Sequence, residues 1–151
     1  MVYDPRNQAL FIGDAFMGEG IPDISGRLVM PPHYFEVDQY LDSIELAYRL
    51  GPEYLLATHY PPISGREVVA FLEASKAFVV KFEGLLIDLL RGEDRAMDIP
   101  SIILLVREQL GIPDCDYQYG LLVRAHLRAL VRARRATVDH EHNKPRWVLN
   151  S

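Results

Sequence analysis

Hydrophobic residues along this chain change their spacing several times, and each change marks an element. Ala9-Leu-Phe-Ile12 is a short unbroken apolar run ended by Gly13. It predicts a buried strand, because a strand hidden on both faces loses the alternation of a half-exposed one. Val2-Tyr3, set before Asp4-Pro5-Arg6-Asn7, reads as its hairpin partner. From Gly18 to Pro32, glycine, proline and aspartate leave no period. That predicts a loop, and long loops in compact domains usually carry function. Val37, Leu41, Ile44 and Tyr48 then fall on one helical face, stopped by Gly51-Pro52. Tyr54-Leu-Leu-Ala-Thr58 is a second buried-strand pattern, running into His59 and Pro61-Pro62. Ser64-Gly-Arg-Glu67 has the spacing of a capping box, and the helix it opens extends to about Leu90, ending near Gly92.

The tail has a different rhythm. Pro100 suits the start of a helix through Leu110, closed by Gly111 and Pro113. A longer helix is expected over Tyr119–Arg135, with Leu122, Ala125, Leu127, Leu130 and Val131 apolar. Ala136-Thr-Val-Asp139 and Arg146-Trp-Val-Leu149 flank a polar His-Glu-His-Asn-Lys-Pro turn, the pattern of a β-hairpin. Helix, helix, hairpin is the plan of a winged helix. Gly92-Glu-Asp-Arg95 is the candidate boundary, giving domains at 1–92 and 93–151.

Composition narrows the class. The chain has 151 residues, of which 49% are hydrophobic and 25% charged, values that exclude disordered and collagen-like classes. Apolar runs such as Ser101-Ile-Ile-Leu-Leu-Val106 are too short to span a bilayer, so no membrane role is expected. The opening Met1-Val-Tyr-Asp-Pro-Arg6 has no basic, then apolar, signal-peptide pattern. A single Cys115 excludes an internal disulfide and a thiolate-rich zinc site, and it fits a cytoplasmic location. Residues 1–94 hold 7 Lys+Arg against 15 Asp+Glu, while residues 95–151 hold 9 against 6. An acidic front and a basic tail point to two units with different surroundings, and the overall charge of −5 argues against nonspecific nucleic-acid binding.

Two positions combine a metal-compatible side chain with the end of a buried strand: Asp14 and His59. Neighbouring strands bring such residues together, and carboxylate with imidazole suits zinc, iron or manganese. The bland alternative is that Asp14 caps a turn and His59 is a hydrogen-bonded histidine near the core. His33 beside Pro31-Pro32 reads as an exposed loop histidine before it reads as a substrate-loop residue. His140 and His142 share a strand face, but without a third ligand nearby a solvated turn is the better reading. Asp114 and Asp116 flank Cys115 and would raise its thiol pKa, against a nucleophilic role. Arg124, Arg128, Arg132 and Arg135 form a helical stripe, expected to face solvent or the acidic front.

Gly13-Asp14 after an apolar strand, the Gly/Pro loop, Tyr40-Leu-Asp-Ser-Ile44 and Pro52-Glu-Tyr-Leu-Leu-Ala-Thr-His59-Tyr-Pro-Pro together resemble the C-terminal half of a metallo-β-lactamase-fold hydrolase. Arg124-Ala-His-Leu-Arg-Ala-Leu130 and the terminal hairpin are similar to the winged-helix appendage of one branch. The resemblance implies an α/β fold: the C-terminal half of an αββα sandwich followed by a small winged-helix unit. It implies that Asp14 is a carboxylate bridging two metal ions, that His59 ligates the second, and that zinc is the cofactor. The implied reaction is attack of a metal-bound hydroxide on an ester, thioester, lactam or phosphodiester. The family's His-x-His-x-Asp-His cluster is not present, the histidines being His33, His59, His126, His140 and His142. Thr58 and Tyr60 stand where the family has glycines around its histidine. Part of a hydrolase site is therefore expected, completed by an N-terminal half or a second copy of the chain. The rival expectation is a non-catalytic binding protein that keeps the scaffold and uses its tail for partners.

Overall fold

A computed structural model of the chain describes residues 1–93, 96–112, 115–139 and 145–150. It divides into two compact units, one of Met1–Pro32 with Asp38–Val79 and one of His33–Val37 with Val80–Ser151. The first is built on a four-stranded sheet. Strand β1 (Val2–Asp4) pairs antiparallel with β2 (Ala9–Gly13), and β2 pairs parallel with β5 (Tyr54–Ala57). The short β6 (Ile63–Ser64) closes the far edge. Parallel neighbours need a crossover, which contains helix α1 (Val37–Leu50). Leu10, Ile12 and Leu55 are buried, as are Tyr40, Ile44 and Ala47 of α1 and Val68 and Leu72 of helix α2 (Arg66–Arg91). The opposite sheet face carries Val2, Phe11 and Leu56 in one register row. Val2 and Phe11 there are 68% and 48% exposed.

The second unit contains the end of α2, helix α3 (Ile99–Leu110), helix α4 (Asp116–Arg132) and the hairpin β7 (Ala136–Asp139) with β8 (Arg146–Leu149). The α3 boundaries follow their capping chemistry. Asp98 accepts from the Ser101 N–H at 3.0 Å, Pro100 sits in the first turn, and Gly111 ends the helix at φ 68° while donating to the Arg107 carbonyl. Met97 exchanges backbone bonds of 2.9 and 2.8 Å with Trp147, adding a third strand position beside β8. Buried Ile102, Val106, Tyr119, Leu122, Val123, Leu127 and Leu130 supply its core.

Several expectations need correction. The 18–32 segment is not irregular throughout: β3 (Ile21–Pro22) and β4 (Leu28–Met30) form a small hairpin. Asp23 closes it, accepting from the Ser25 N–H, the Ser25 hydroxyl and the Arg27 N–H. Strands of two and three residues are too short to leave a periodicity. Ser64 does not head α2, because it is paired with Tyr54 in β6 and the helix begins at Arg66. Helix α4 ends at Arg132 rather than Arg135. Arg134 is left-handed at φ 57°, its N–H returning to Val131 and that of Arg135 to Leu130. That is a Schellman ending, which sequence signals only when glycine occupies the left-handed position. Pro113 and part of the Gly92–Arg95 segment lie outside the described residues.

Gly20 is the tightest glycine among the described residues. It holds φ 135°, and a Cβ there would lie 2.6 Å from the Met30 carbonyl oxygen. Gly20→Ala is expected to destabilise the fold by about 2–3 kcal/mol, since strain and clash act together. Gly26→Ala, at φ 85° with nothing within 4 Å, meets backbone strain alone and should lose about 1 kcal/mol. Thermal unfolding of both variants checks the difference.

Candidate functional site

Parallel pairing decides where the site residues emerge. Gly13 is in register with Ala57 at the last rung, and the Thr58 N–H donates to the Gly13 carbonyl at 3.2 Å. Both strands therefore end at one edge, and the next residues toward it are Asp14 and His59. His59 Nε2 lies 3.5 Å from Asp14 Oδ1, with both side chains about half exposed. A charge-assisted N–H···O bond would be shorter, about 2.7–2.9 Å. Two ligands on one tetrahedral zinc, with bonds of about 2.0–2.1 Å, lie about 3.4 Å apart. The spacing and donor chemistry fit two positions of a metal site. A zinc site takes three or four protein ligands, and no group of three or more His, Cys, Asp or Glu suited to a metal occurs among the described residues. These two residues fit half a site.

The chain after Asp14 is fixed from the His59 side. Phe16 and Met17 are buried. The Tyr60 hydroxyl lies 2.6 Å from the Met17 carbonyl and 2.7 Å from that of Gly20. Ser75 of α2 accepts from the Gly18 N–H and donates to the Phe71 carbonyl, both at 2.9 Å. The Tyr60 ring meets Phe71 edge-on, with centroids 4.9 Å apart. Burial pushes the Tyr60 phenol up to about 12, with neighbouring Tyr40 adding to the effect, so it remains a donor. Burial likewise raises Tyr40 to about 12, against hydrogen bonds with Ser75 and Met17. Thr58 and Tyr60 are not among the positive-φ residues, so this strand end keeps ordinary backbone without the family's glycines. Sequence reasoning named Tyr60 only as a residue in place of a glycine and passed over Ser75; the available signal was an aromatic residue directly after a candidate ligand.

The remaining candidates disperse. His33 is half-buried, not exposed, and its Nδ1 is enclosed without a hydrogen-bond partner among the described residues. It belongs to the second unit. Cys115 is buried before α4. His140 and His142 lie outside the described residues. Three of the four arginines in the stripe meet acidic residues within the second unit. Arg128 and Arg132 pair with Glu36 at 3.0 and 2.9 Å, and Arg135 pairs with Glu83 at 2.6 Å. Arg132 first, with Arg128 beside it, holds the Glu36 carboxyl below its ordinary range. Arg128 also donates to the Phe35 carbonyl, and Arg124 to that of Gly120.

His126 was not singled out by sequence. Its Nε2 lies 2.7 Å from the Tyr34 hydroxyl, and its ring packs at centroid distances of 5.7 Å from Tyr34 and 4.9 Å from Phe82. The residue is wholly buried, and burial pulls its pKa down to about 4.

By sequence, neither a family model nor a curated protein matches the chain. By structure, it is similar to a metallo-beta-lactamase family protein from Thermus thermophilus, with TM-score 0.69 and 19% identity over 98% of this chain and 44% of that one. It is also similar to a beta-lactamase domain protein from Burkholderia ambifaria, with TM-score 0.68 and 18% identity over 98% of this chain and 42% of that one. The chain thus has the fold of part of a metallo-β-lactamase family protein and spans less than half the length of these neighbours. No helix among the described residues is long and apolar enough to cross a membrane.

The His126 environment generates a pH prediction. Its folded pKa of about 4 lies below the ordinary 6.5, so the unfolded chain takes up the proton first. Stability from this residue is complete above about pH 6.5 and is lost as pH falls from there to about 4. The span corresponds to about 3 kcal/mol. Denaturant unfolding between pH 7 and pH 4 should show the loss, and His126→Gln, which does not titrate, should remove most of it.

Proposed function

We propose that the chain carries half of a metal-dependent hydrolase site, with Asp14 and His59 as two ligands of a zinc-type ion. The remaining ligands come from a segment outside these residues, in the same polypeptide or another. The observation that carries this reading is the 3.5 Å Asp14–His59 separation at the ends of adjacent parallel strands. The resemblance to metallo-β-lactamase-fold hydrolases supports it and supplies the substrate classes: ester, thioester, lactam or phosphodiester. A bound ion would lower the pKa of its water to near 7 and polarise the scissile group. The chain's own residues offer one anionic and one imidazole donor, held by strand register on one side and by the Tyr60 contacts on the other.

The same reading gives the exposed sheet face a partner. Val2, Phe11 and Tyr54 line it at 68%, 48% and 47% exposure, and Leu56 lies between Phe11 and the sheet edge. A complementing N-terminal half, filling the length that the structural neighbours have beyond this chain, is the occupant that fits. We read residues 93–151 as a winged-helix-like domain, supported by the helix–helix–hairpin order and the Met97–Trp147 bridge. A reducing, cytoplasmic setting suits the single cysteine. A second reading, a scaffold that binds partners without chemistry, is favoured by one observation: only two candidate ligands come together among the described residues.

Alone, the chain is expected to bind zinc weakly and to turn over no thioester, lactam or phosphodiester. Asp14→Ala and His59→Ala should each abolish the residual binding in metal analysis after equilibrium dialysis. Two tightly held ions per chain, lost in Asp14→Ala, would show that further ligands complete the site within it.

The exposed face should also make the isolated chain associate, because apolar patches above a few hundred Å² are uncommon on monomers. Sedimentation is expected to show self-association that Phe11→Lys reduces and that an added N-terminal half displaces. A clean monomer at high concentration would count against the partner reading.

A further inference from the structure

The geometry points to Tyr60 as a positioning residue that sets the separation of Asp14 and His59. The inference rests on the metal reading above and goes beyond it, since Tyr60 is itself no ligand. Tyr60 follows His59 directly, and its hydroxyl reaches two carbonyls of the loop that follows Asp14, Met17 at 2.6 Å and Gly20 at 2.7 Å. One hydroxyl proton serves two acceptors, so its removal leaves two inward-facing carbonyls without this donor. The loop has little freedom to compensate. Gly18 is held by Ser75, and a Cβ on it would lie 3.2 Å from the Phe71 ring. Gly20 is held by its own N–H bond to Met17 at 2.7 Å.

Strand register fixes the backbone at Gly13 and Thr58, but the Asp14 side chain lies one residue beyond the last rung. The Ala15 N–H bond to the Ile12 carbonyl at 3.0 Å closes the turn at Asp14, and the loop beyond that turn needs a tie of its own. Tyr60 supplies the tie from the neighbouring strand end, so loop and histidine move as one piece. This also accounts for an aromatic residue where the family has glycine: the position here holds a clamp and needs no unusual backbone.

The test compares Tyr60→Phe with wild type and with Ile44→Val, a buried core truncation in α1 that lowers stability while changing no residue of the loop or of its hydrogen bonds. Amide hydrogen exchange at Ala15, Gly18 and Gly20 reads the loop in the absence of metal. Line broadening by Co²⁺ at residues 14 and 59 gives an affinity that remains measurable when weak. Tyr60→Phe is expected to speed exchange at these amides and to weaken Co²⁺ by about tenfold, the loss typical of an outer-shell partner. Ile44→Val should leave the affinity unchanged. Unaltered Co²⁺ affinity in Tyr60→Phe would overturn the inference, as would an equal loss in Ile44→Val. If wild-type protein shows no broadening at residues 14 and 59 while the loop amides still respond to Tyr60→Phe, the metal reading itself fails and takes the positioning role with it.

Discussion

The parallel pairing of β2 with β5 is the constraint on which the candidate site depends. An antiparallel neighbour would send the two strand ends to opposite edges, roughly a strand length apart. Parallel pairing instead brings residues 45 positions apart in sequence to one edge, through a crossover that the Gly18–Pro32 segment and α1 fill. The register shift between Phe11 and Gly13, with Gly13 at φ 56°, ends the ladder there and releases Asp14 from the sheet. A regular strand would have kept position 14 on the rung and pointed it by pleat alone.

Polar satisfaction then governs the loop. A segment that buries Phe16 and Met17 also draws backbone carbonyls inward, and each needs a donor. Tyr60 donates to the Met17 and Gly20 carbonyls from the next strand end, while Ser75 of α2 accepts from the Gly18 N–H. The same logic recurs in the second unit, where Tyr34 reaches buried His126, and Glu36 two residues on meets Arg128 and Arg132. In both units a short irregular segment is held in part by side chains distant in sequence.

That division explains what could be read in advance. Ala9–Ile12, Tyr54–Ala57, α1 and α3 follow from apolar runs, periodicity and stop signals that act within a few residues. Asp14 and His59 were legible because strand ends are legible, and their convergence needed only the assumption that the two strands are neighbours. Tyr60, Ser75 and His126 were not, because their roles come from contacts with partners 40 to 92 positions away that leave no local pattern. The end of α4 was misplaced for a related reason: Arg134 takes a left-handed conformation that its side chain does not advertise. The β3–β4 hairpin and β6 are shorter than the period that would reveal them.

The sheet's unpartnered side and the half-filled donor set belong to one argument. Strands buried on both faces read as continuous apolar runs, and Ala9-Leu-Phe-Ile and Tyr54-Leu-Leu-Ala have that composition. Among the described residues, Leu10, Ile12 and Leu55 are buried, while Val2, Phe11 and Tyr54 remain open. On the reading proposed above, the strand sequences suit a second layer on the side where Phe11 is exposed. As proposed metal ligands, Asp14 and His59 at the end of the same two strands would need further ligands beside them. A layer packed on Phe11 would approach the edge where Asp14 emerges, because only Ile12 and Gly13 separate them along β2. On the proposed reading one added body meets both demands, so completing the fold and completing the site become the same event.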